Sequence, residues 1–109
     1  MELKHIKSHK WMERAERVIP GGVNSPVRAF KSVGGVPPFI DSAEEARIYD
    51  VAGNSYIDYC CGWGSLILGH CDDAVTTGIE KALSGGTYFG TCTHREVILA
   101  ELITNAVSS

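Results

Sequence analysis

Arg28 is the residue best suited to chemistry in this sequence, because it lies in a loop that Pro26 makes rigid. A guanidinium held in such a loop can grip a carboxylate, since its planar fork donates two parallel, charge-assisted hydrogen bonds. By pattern alone, an arginine is more often a solvated surface charge. Other glycine-rich loops carry Trp63, Tyr88 and Phe89 beside backbone that a ligand could approach closely. Together these loops favour a small anionic ligand.

Other reaction types find little support. No nucleophile is paired with a base, and neither a carboxylate dyad at motif spacing nor a phosphate-binding glycine loop occurs in the sequence. Taken alone, Trp63 is better interpreted as a core or interface aromatic than as a ligand contact. His70 is interpreted as a structural imidazole whose hydrogen bonds are satisfied beside a helix start.

The four cysteines, Cys60, Cys61, Cys71 and Cys92, are even in number but do not suggest a disulfide framework. Adjacent Cys60 and Cys61 cannot easily bridge each other, and nothing indicates secretion. A zinc site could combine these thiols with His70 and His94, yet no C-x-x-C spacing occurs. We interpret them as free thiols that pack incidentally.

The composition of the chain limits the classes of partner and the location that can be expected. The 109 residues are 44% hydrophobic and 21% charged, which suits one small domain at most. A net charge of −3 with scattered Lys and Arg argues against nucleic acid as a partner. No run approaches the roughly 18 apolar residues of a membrane span, and Met1 to His5 lacks the apolar core of a signal peptide. A cytoplasmic protein is expected.

The first part of the chain predicts a helix, a long loop and a small sheet. Apolar residues recur every three or four positions from Ile6 to Val18, and Pro20 followed by two glycines ends the helix. Residues 23–38 predict an irregular loop. Three extended runs follow, and the segment Ala52-Gly53-Asn54 supplies a tight hairpin between the last two. These runs are Phe39 to Asp41, Ala46 to Val51 and Ser55 to Cys60, and they predict an antiparallel meander.

Two helices are predicted after the meander. The first covers Ala74 to Leu83, capped by Asp72 or Asp73. Its buried stripe would be formed by Val75, Ile79, Ala82 and Leu83. The second covers His94 to Ala106, with Thr93 and Glu96 as a capping box. It is apolar nearly all round, which predicts that further sequence covers it on more than one side.

The segment from Ile19 to Phe30, IPGGVNSPVRAF, carries a specific resemblance. It resembles the opening signature of the glutamate-1-semialdehyde 2,1-aminomutases. The strand pair with its D-x-x-G-N turn is shared more widely among class III aminotransferases, whereas residues 24–30 select the aminomutases. The similarity continues along the whole chain through Gly34-Gly35, Tyr49 to Val51, Gly53-Asn54, Tyr56 to Tyr59, Trp63-Gly64, Leu68 to His70 and Phe89-Gly90.

The resemblance implies an α/β fold, namely the N-terminal portion of a fold-type-I transferase dependent on pyridoxal 5'-phosphate. Residues 1–109 would supply part of the small domain and the start of the large domain. The whole protein would be a cytoplasmic homodimer. It would convert glutamate 1-semialdehyde to 5-aminolevulinate by intramolecular amino exchange, in tetrapyrrole (porphyrin) biosynthesis.

Carried over by position, the resemblance implies that Ser25 and Arg28 bind the substrate carboxylate, and that Trp63 lines the pocket beside Val27. The family's Schiff-base lysine, its pyridinium-facing aspartate and its Ser-Gly-Thr phosphate cradle lie beyond these residues, and Lys81 is not at a matching position. We therefore expect no catalytic residue here, and we expect the 109 residues alone to be inactive and poorly folded. The sequence departs from the family pattern at Ala52, Ser65, 71–73, Tyr88 and 91–92.

Two alternatives remain. The first is an ordinary class III transaminase acting on an ω-amine, against which Arg28 in its loop argues. The second is a short, non-catalytic module for binding or dimerisation.

Overall fold

In the computed structural model, which describes residues 5–107, a helix is followed by a three-stranded sheet and two further helices. Short 3₁₀ turns interrupt the loops on either side of the sheet. The predicted succession of elements is confirmed. The chain divides into two compact units, one through Asp72 and one from Asp73 onward.

Helix α1 spans Ile6–Glu16 and packs against the segment that enters the sheet. The buried Ser8 hydroxyl accepts a hydrogen bond from the Phe39 backbone N–H at 3.2 Å. The Trp11 and Phe39 rings stack with centroids 6.5 Å apart, and the Arg14 guanidinium lies 4.3 Å from the centre of the Trp11 ring. This helix is therefore fixed to the segment that enters the sheet by both polar and aromatic contacts.

The helix ends at Glu16, slightly before the predicted Val18. The N–H groups of Val18 and Ile19 both donate to the Ala15 carbonyl, which tightens the last turn. Ile19 is then extended at φ −125°, as expected for a residue before proline. The chain thus leaves the helix before Pro20, and Pro20–Gly22 form a 3₁₀ turn.

The sheet is an antiparallel meander of β1 (Ile40–Glu44), β2 (Arg47–Asp50) and β3 (Ser55–Ile57). Strand β1 runs past the predicted end at Asp41, because Glu45 takes a left-handed conformation (φ 49°) and makes a tight turn into β2. Strand β3 ends before the predicted Cys60. Its last residue is followed by Asp58, whose side chain captures the next backbone amides.

The β2–β3 hairpin is organised by the buried carboxylate of Asp50. One oxygen accepts the N–H groups of Ala52 and Asn54, at 2.9 and 2.8 Å. The other accepts the Asn54 side-chain amide at 2.7 Å and the Tyr56 hydroxyl at 3.0 Å. The tip residue Gly53 has φ +84°. The predicted turn is confirmed, and one side chain satisfies most of its donors.

We expect Asp50→Ala to lower the free energy of opening of this hairpin by about 3 kcal/mol, because four donors lose a charged acceptor. Tyr56→Phe removes only one of these bonds and should cost about 1 kcal/mol. Amide hydrogen exchange at Ala52 and Asn54 measures both effects. Equal protection in the two variants would contradict the central role of Asp50.

The same carboxylate makes the hairpin sensitive to acid. Burial raises the pKa of Asp50, but the hydrogen bonds from Asn54, Tyr56 and Ala52 outweigh it and lower the pKa from 3.8 to about 2. Because the pKa of Asp50 is lower in the folded state, its charged carboxylate stabilises the fold at pH values above the unfolded-state pKa. This stability is lost as the pH falls through the folded-state pKa. We expect about 2 kcal/mol of stability to disappear between roughly pH 4 and pH 2. Exchange protection followed against pH should be flat above this window, and Asp50→Asn should abolish this part of the dependence.

The second unit contains α2 (Asp73–Leu83) and α3 (His94–Ala106), at nearly the predicted bounds. The predicted buried stripe on α2 is wrong within this unit, because Val75, Ile79 and Leu83 are each about half exposed or more. No residue of either helix is buried. The predicted capping box is also wrong, since Thr93 makes no side-chain hydrogen bond to α3. Instead, its carbonyl accepts the Glu96 N–H at 3.3 Å.

Between residues 5 and 107, the helices are too short or too polar for any of them to cross a membrane. All four cysteines carry free thiols, as predicted.

Candidate functional site

The loop that follows α1 places the predicted carboxylate-binding residues on one tight turn. Ser25 is extended (φ −145°, ψ 129°), and Pro26–Ala29 form a 3₁₀ turn closed by the Arg28 N–H donating to the Ser25 carbonyl at 3.0 Å. Phe30 ends the turn in the left-handed conformation. Proline at the first position of the turn fixes its φ angle, so the backbone that carries Arg28 is preorganised.

A cavity of about 420 Å³ opens beside this turn, between the end of α1, the loop and the entry to β1. Among the described residues that line it, Arg28 is the one that carries a charge. The lining residues are Ala15, Ile19, Gly22, Val23, Asn24, Arg28, Pro37, Pro38, Phe39 and Ile40. A mainly apolar wall with one cation and one amide suits a short aliphatic ligand that carries an acid group.

The guanidinium of Arg28 is available to such a ligand. Within residues 5–107, its side chain is exposed and no carboxylate lies within ion-pairing distance of it. In contrast, Arg47 on the sheet donates from Nη1 to the Ser55 hydroxyl at 3.0 Å. Arg28 therefore has hydrogen-bond donors that the described structure leaves unused.

Trp63 lies in a separate loop, within a left-handed turn at Cys61–Gly64, and its side chain is 78% exposed. Trp63 does not line the Arg28 cavity, and neither do Ser25 and Val27. The structure thus groups three of the four predicted residues on one turn, but brings only Arg28 to the cavity. Asn24, which does line it, was not selected from the sequence, although it belongs to the same family-like segment.

His70 is a satisfied structural imidazole, as predicted. Its Nε2 lies 2.7 Å from Oδ2 of Asp58, and its backbone pairs with that of Glu45. The sequence does not reveal this partner, because Asp58 and His70 are separated by the whole of the intervening loop.

The loop with Tyr88 and Phe89 belongs to the second unit. It borders a concavity of about 550 Å³ formed by residues 86–93 with Arg95 and Glu96 at the start of α3. The side chains of Tyr88 and Phe89 are exposed there.

Comparison with known proteins places these features in a family. Residues 30–108 match the family model described as aminotransferase class-III. The chain is 56% identical over 108 residues to the glutamate-1-semialdehyde 2,1-aminomutase of Clostridium novyi, covering 99% of this chain and 25% of that protein. It is 54% identical to the same enzyme of Desulforamulus reducens, over 100% of this chain and 25% of that protein. The chain thus spans about a quarter of the length of these curated relatives.

Solved structures show the same fold. An omega-transaminase from Sphaerobacter thermophilus superposes with a TM-score of 0.83 at 32% identity, over 94% of this chain and 23% of that one. A glutamate-1-semialdehyde-aminomutase from Pseudomonas aeruginosa PAO1 superposes with a TM-score of 0.81 at 21% identity, over 93% and 22%, which shows the fold alone. The helix, the meander and the two following helices are therefore the arrangement found in part of these enzymes. With most of its length matched by the family model, this chain belongs to the class III aminotransferases.

Proposed function

We propose that this chain is the N-terminal part of a glutamate-1-semialdehyde 2,1-aminomutase, in which Arg28 binds the carboxylate of the substrate. The whole protein would convert glutamate 1-semialdehyde to 5-aminolevulinate, for tetrapyrrole synthesis, as a cytoplasmic homodimer. Curated relatives of that name, at 53–56% identity over nearly all of the chain, support the proposal.

The observation that carries it is the Arg28 guanidinium, which has no ion-pair partner among residues 5–107, in the wall of a mainly apolar cavity. Glutamate 1-semialdehyde is a short chain with an acid at one end, an aldehyde at the other and an amino group beside the aldehyde. A bidentate bond from Arg28 would fix the acid end, and the apolar wall would accept the methylene groups. Ser25 would add a hydroxyl donor from the same turn. Val27 and Trp63 lie outside the Arg28 cavity among the described residues, and we propose that they line the substrate pocket of the longer protein.

The cofactor, pyridoxal 5'-phosphate, supplies the electron sink that such amino exchange requires. The residues that the structure describes do not provide a site that fits it. The described lysines, Lys7, Lys10, Lys31 and Lys81, are all exposed, so none is held in an enclosed pocket. We therefore assign cofactor binding to other parts of the longer protein, and the 109 residues alone are expected to be inactive.

An ω-amino transaminase is the second candidate, and the superposition on the Sphaerobacter thermophilus enzyme favours it. The two functions differ in what they need from this cavity. A substrate with an amine at the far end of its chain has no fixed requirement for a carboxylate grip, whereas the aminomutase substrate always carries one. The free Arg28 guanidinium thus favours the aminomutase.

The test is product formation by the longer protein that contains this chain. Supplied with glutamate 1-semialdehyde and no amino acceptor, it should form 5-aminolevulinate, because the amino group moves within one molecule. A matched reaction with an ω-amine and a keto acid should give little product. The reverse result, transfer from the ω-amine and no 5-aminolevulinate, would replace the proposal with the transaminase.

A further inference from the structure

The loop from Asp58 to His70, which carries Trp63, is closed at its base by two sets of hydrogen bonds. The Glu45 N–H donates to the His70 carbonyl at 2.9 Å, and the His70 N–H donates to the Glu45 carbonyl at 2.8 Å. Beside this backbone pair, His70 Nε2 lies 2.7 Å from Oδ2 of Asp58. The first and last residues of the loop are therefore joined directly.

The second oxygen of Asp58 controls the start of the turn itself. Oδ1 accepts the N–H groups of Cys60 and Cys61, at 2.8 and 3.1 Å. The side chains of Asp58 and His70 are only 11% and 18% exposed. The hydrogen bond with His70, followed by those from Cys61 and Cys60, lowers the pKa of Asp58, so the carboxylate remains charged at neutral pH.

The backbone held in this way is strained. Cys61, Gly62, Trp63 and Gly64 all have positive φ, at 44°, 64°, 64° and 95°. Glycine adopts this conformation freely, but Cys61 and Trp63 do so at a cost, because the Cβ atom crowds the neighbouring carbonyl. Such conformations persist only where the surroundings enforce them, and they concentrate at functional sites.

Within residues 58–66, a small set of hydrogen bonds holds the left-handed turn. The Trp63 N–H donates to the Cys60 carbonyl at 2.9 Å, and the N–H groups of Ser65 and Leu66 donate to the Cys61 carbonyl, the latter at 3.1 Å. The Cys61 thiol donates to the Asp58 carbonyl and the Ser65 hydroxyl to the Gly62 carbonyl, both at 3.1 Å. Asp58 adds the two bonds to Cys60 and Cys61, where the left-handed run begins. Losing its carboxylate would let Cys61 relax toward negative φ, and the indole two residues later would turn away.

We infer that Asp58 and His70 are positioning residues, which hold the left-handed turn so that Trp63 presents its indole to the substrate pocket. The inference rests on the proposed function, in which Trp63 lines that pocket. Neither residue touches the substrate, and both act through Trp63.

The test is a double-mutant cycle in the longer protein with its cofactor. Trp63→Ala and Asp58→Ala should each raise KM for glutamate 1-semialdehyde about tenfold, with kcat within about threefold of the parent. The double variant should be no worse than Trp63→Ala alone, because the two changes remove one interaction. Additive effects on KM, or an unchanged KM in Asp58→Ala, would overturn the inference.

Conservative variants separate positioning from general stability. Asp58→Asn keeps an oxygen for the two N–H groups and offers an amide group to the His70 ring, so it should restore KM to within about threefold. The KM of His70→Gln should likewise be closer to that of the parent than the KM of His70→Ala is. This pair of variants tests the inference if Asp58→Ala does not fold. Asp50→Ala is the matched control, since this buried carboxylate organises a neighbouring turn without reaching Trp63. The effects of Asp50→Ala and Trp63→Ala on KM should therefore be additive.

Failure of the proposed function would give a different result from failure of this inference. A parent protein that does not turn over glutamate 1-semialdehyde would disprove that function but not the positioning of the turn. Amide exchange of Cys60 and Cys61 still tests the latter. It should quicken at least about tenfold in Asp58→Ala and stay slow in Asp58→Asn, and equal exchange in the two would overturn the inference.

Discussion

Replacing Arg28 with alanine is expected to lower kcat/KM for glutamate 1-semialdehyde by about 100- to 1000-fold in the longer protein. Removing one partner of a hydrogen-bonded charge pair costs about 2 to 5 kcal/mol, and each 1.4 kcal/mol is a factor of ten. Among residues 5–107, Arg28 is the one charged residue in the lining of the cavity, so the described part of the chain offers the substrate acid no second cation. Most of the loss should appear in KM, because the carboxylate is held alike before and during the reaction.

Two further variants make this result specific. Arg28→Lys keeps the charge but loses the planar fork, so it should recover only part of the activity. Arg47→Ala removes an arginine that contacts Ser55 on the sheet, and it should change kcat/KM less than about threefold. If Arg28→Ala turned over the substrate as well as the parent does, Arg28 would not be the residue that binds the substrate carboxylate.

Gly69→Ala is expected to be the most destabilising substitution in the first unit and to lower the free energy of unfolding by about 3 to 4 kcal/mol. Gly69 has φ +87°, and a Cβ atom there would lie 2.7 Å from the backbone carbonyl oxygen of Glu45. That carbonyl accepts the His70 N–H, so the added methyl group would force the base of the Trp63 loop apart. Thermal unfolding and amide exchange at His70 measure the loss.

Gly53→Ala is the matched control for this substitution. Gly53 has nearly the same backbone angle, φ +84°, but a Cβ atom there would meet nothing within 4 Å. It should therefore lose only the conformational preference, about 1 kcal/mol. If both variants were equally destabilised, the contact with Glu45 would contribute nothing beyond the backbone angle.

Periodicity and turn chemistry predicted much of the fold. The bounds of α3, His94–Ala106, follow from the Thr93 position and the apolar pattern, and the hairpin follows from Gly53-Asn54. The length of β1 could not be predicted, because its turn depends on Glu45 in a left-handed conformation that its residue type does not signal. Local sequence predicts turns made by glycine far better than turns made by other residues in the left-handed conformation.

Burial could not be predicted from the same patterns. The stripe at Val75, Ile79 and Leu83 indicates a face that requires a partner, but it does not say which sequence supplies that partner. The candidate site shows the same limit. The family-like segment identified Arg28, whereas the contacts of Asp58 and His70 depend on long-range pairing that no local window contains.

The open space around the Gly53 tip has a use in protein chemistry. A mirror-image amino acid prefers the backbone angle that an ordinary residue avoids, so D-alanine at this tip should be accepted without strain and should lose less freedom on unfolding than glycine. At 109 residues, the chain is within reach of chemical synthesis by ligation of peptides. The tip is therefore a natural place to attach a D-configured spectroscopic label.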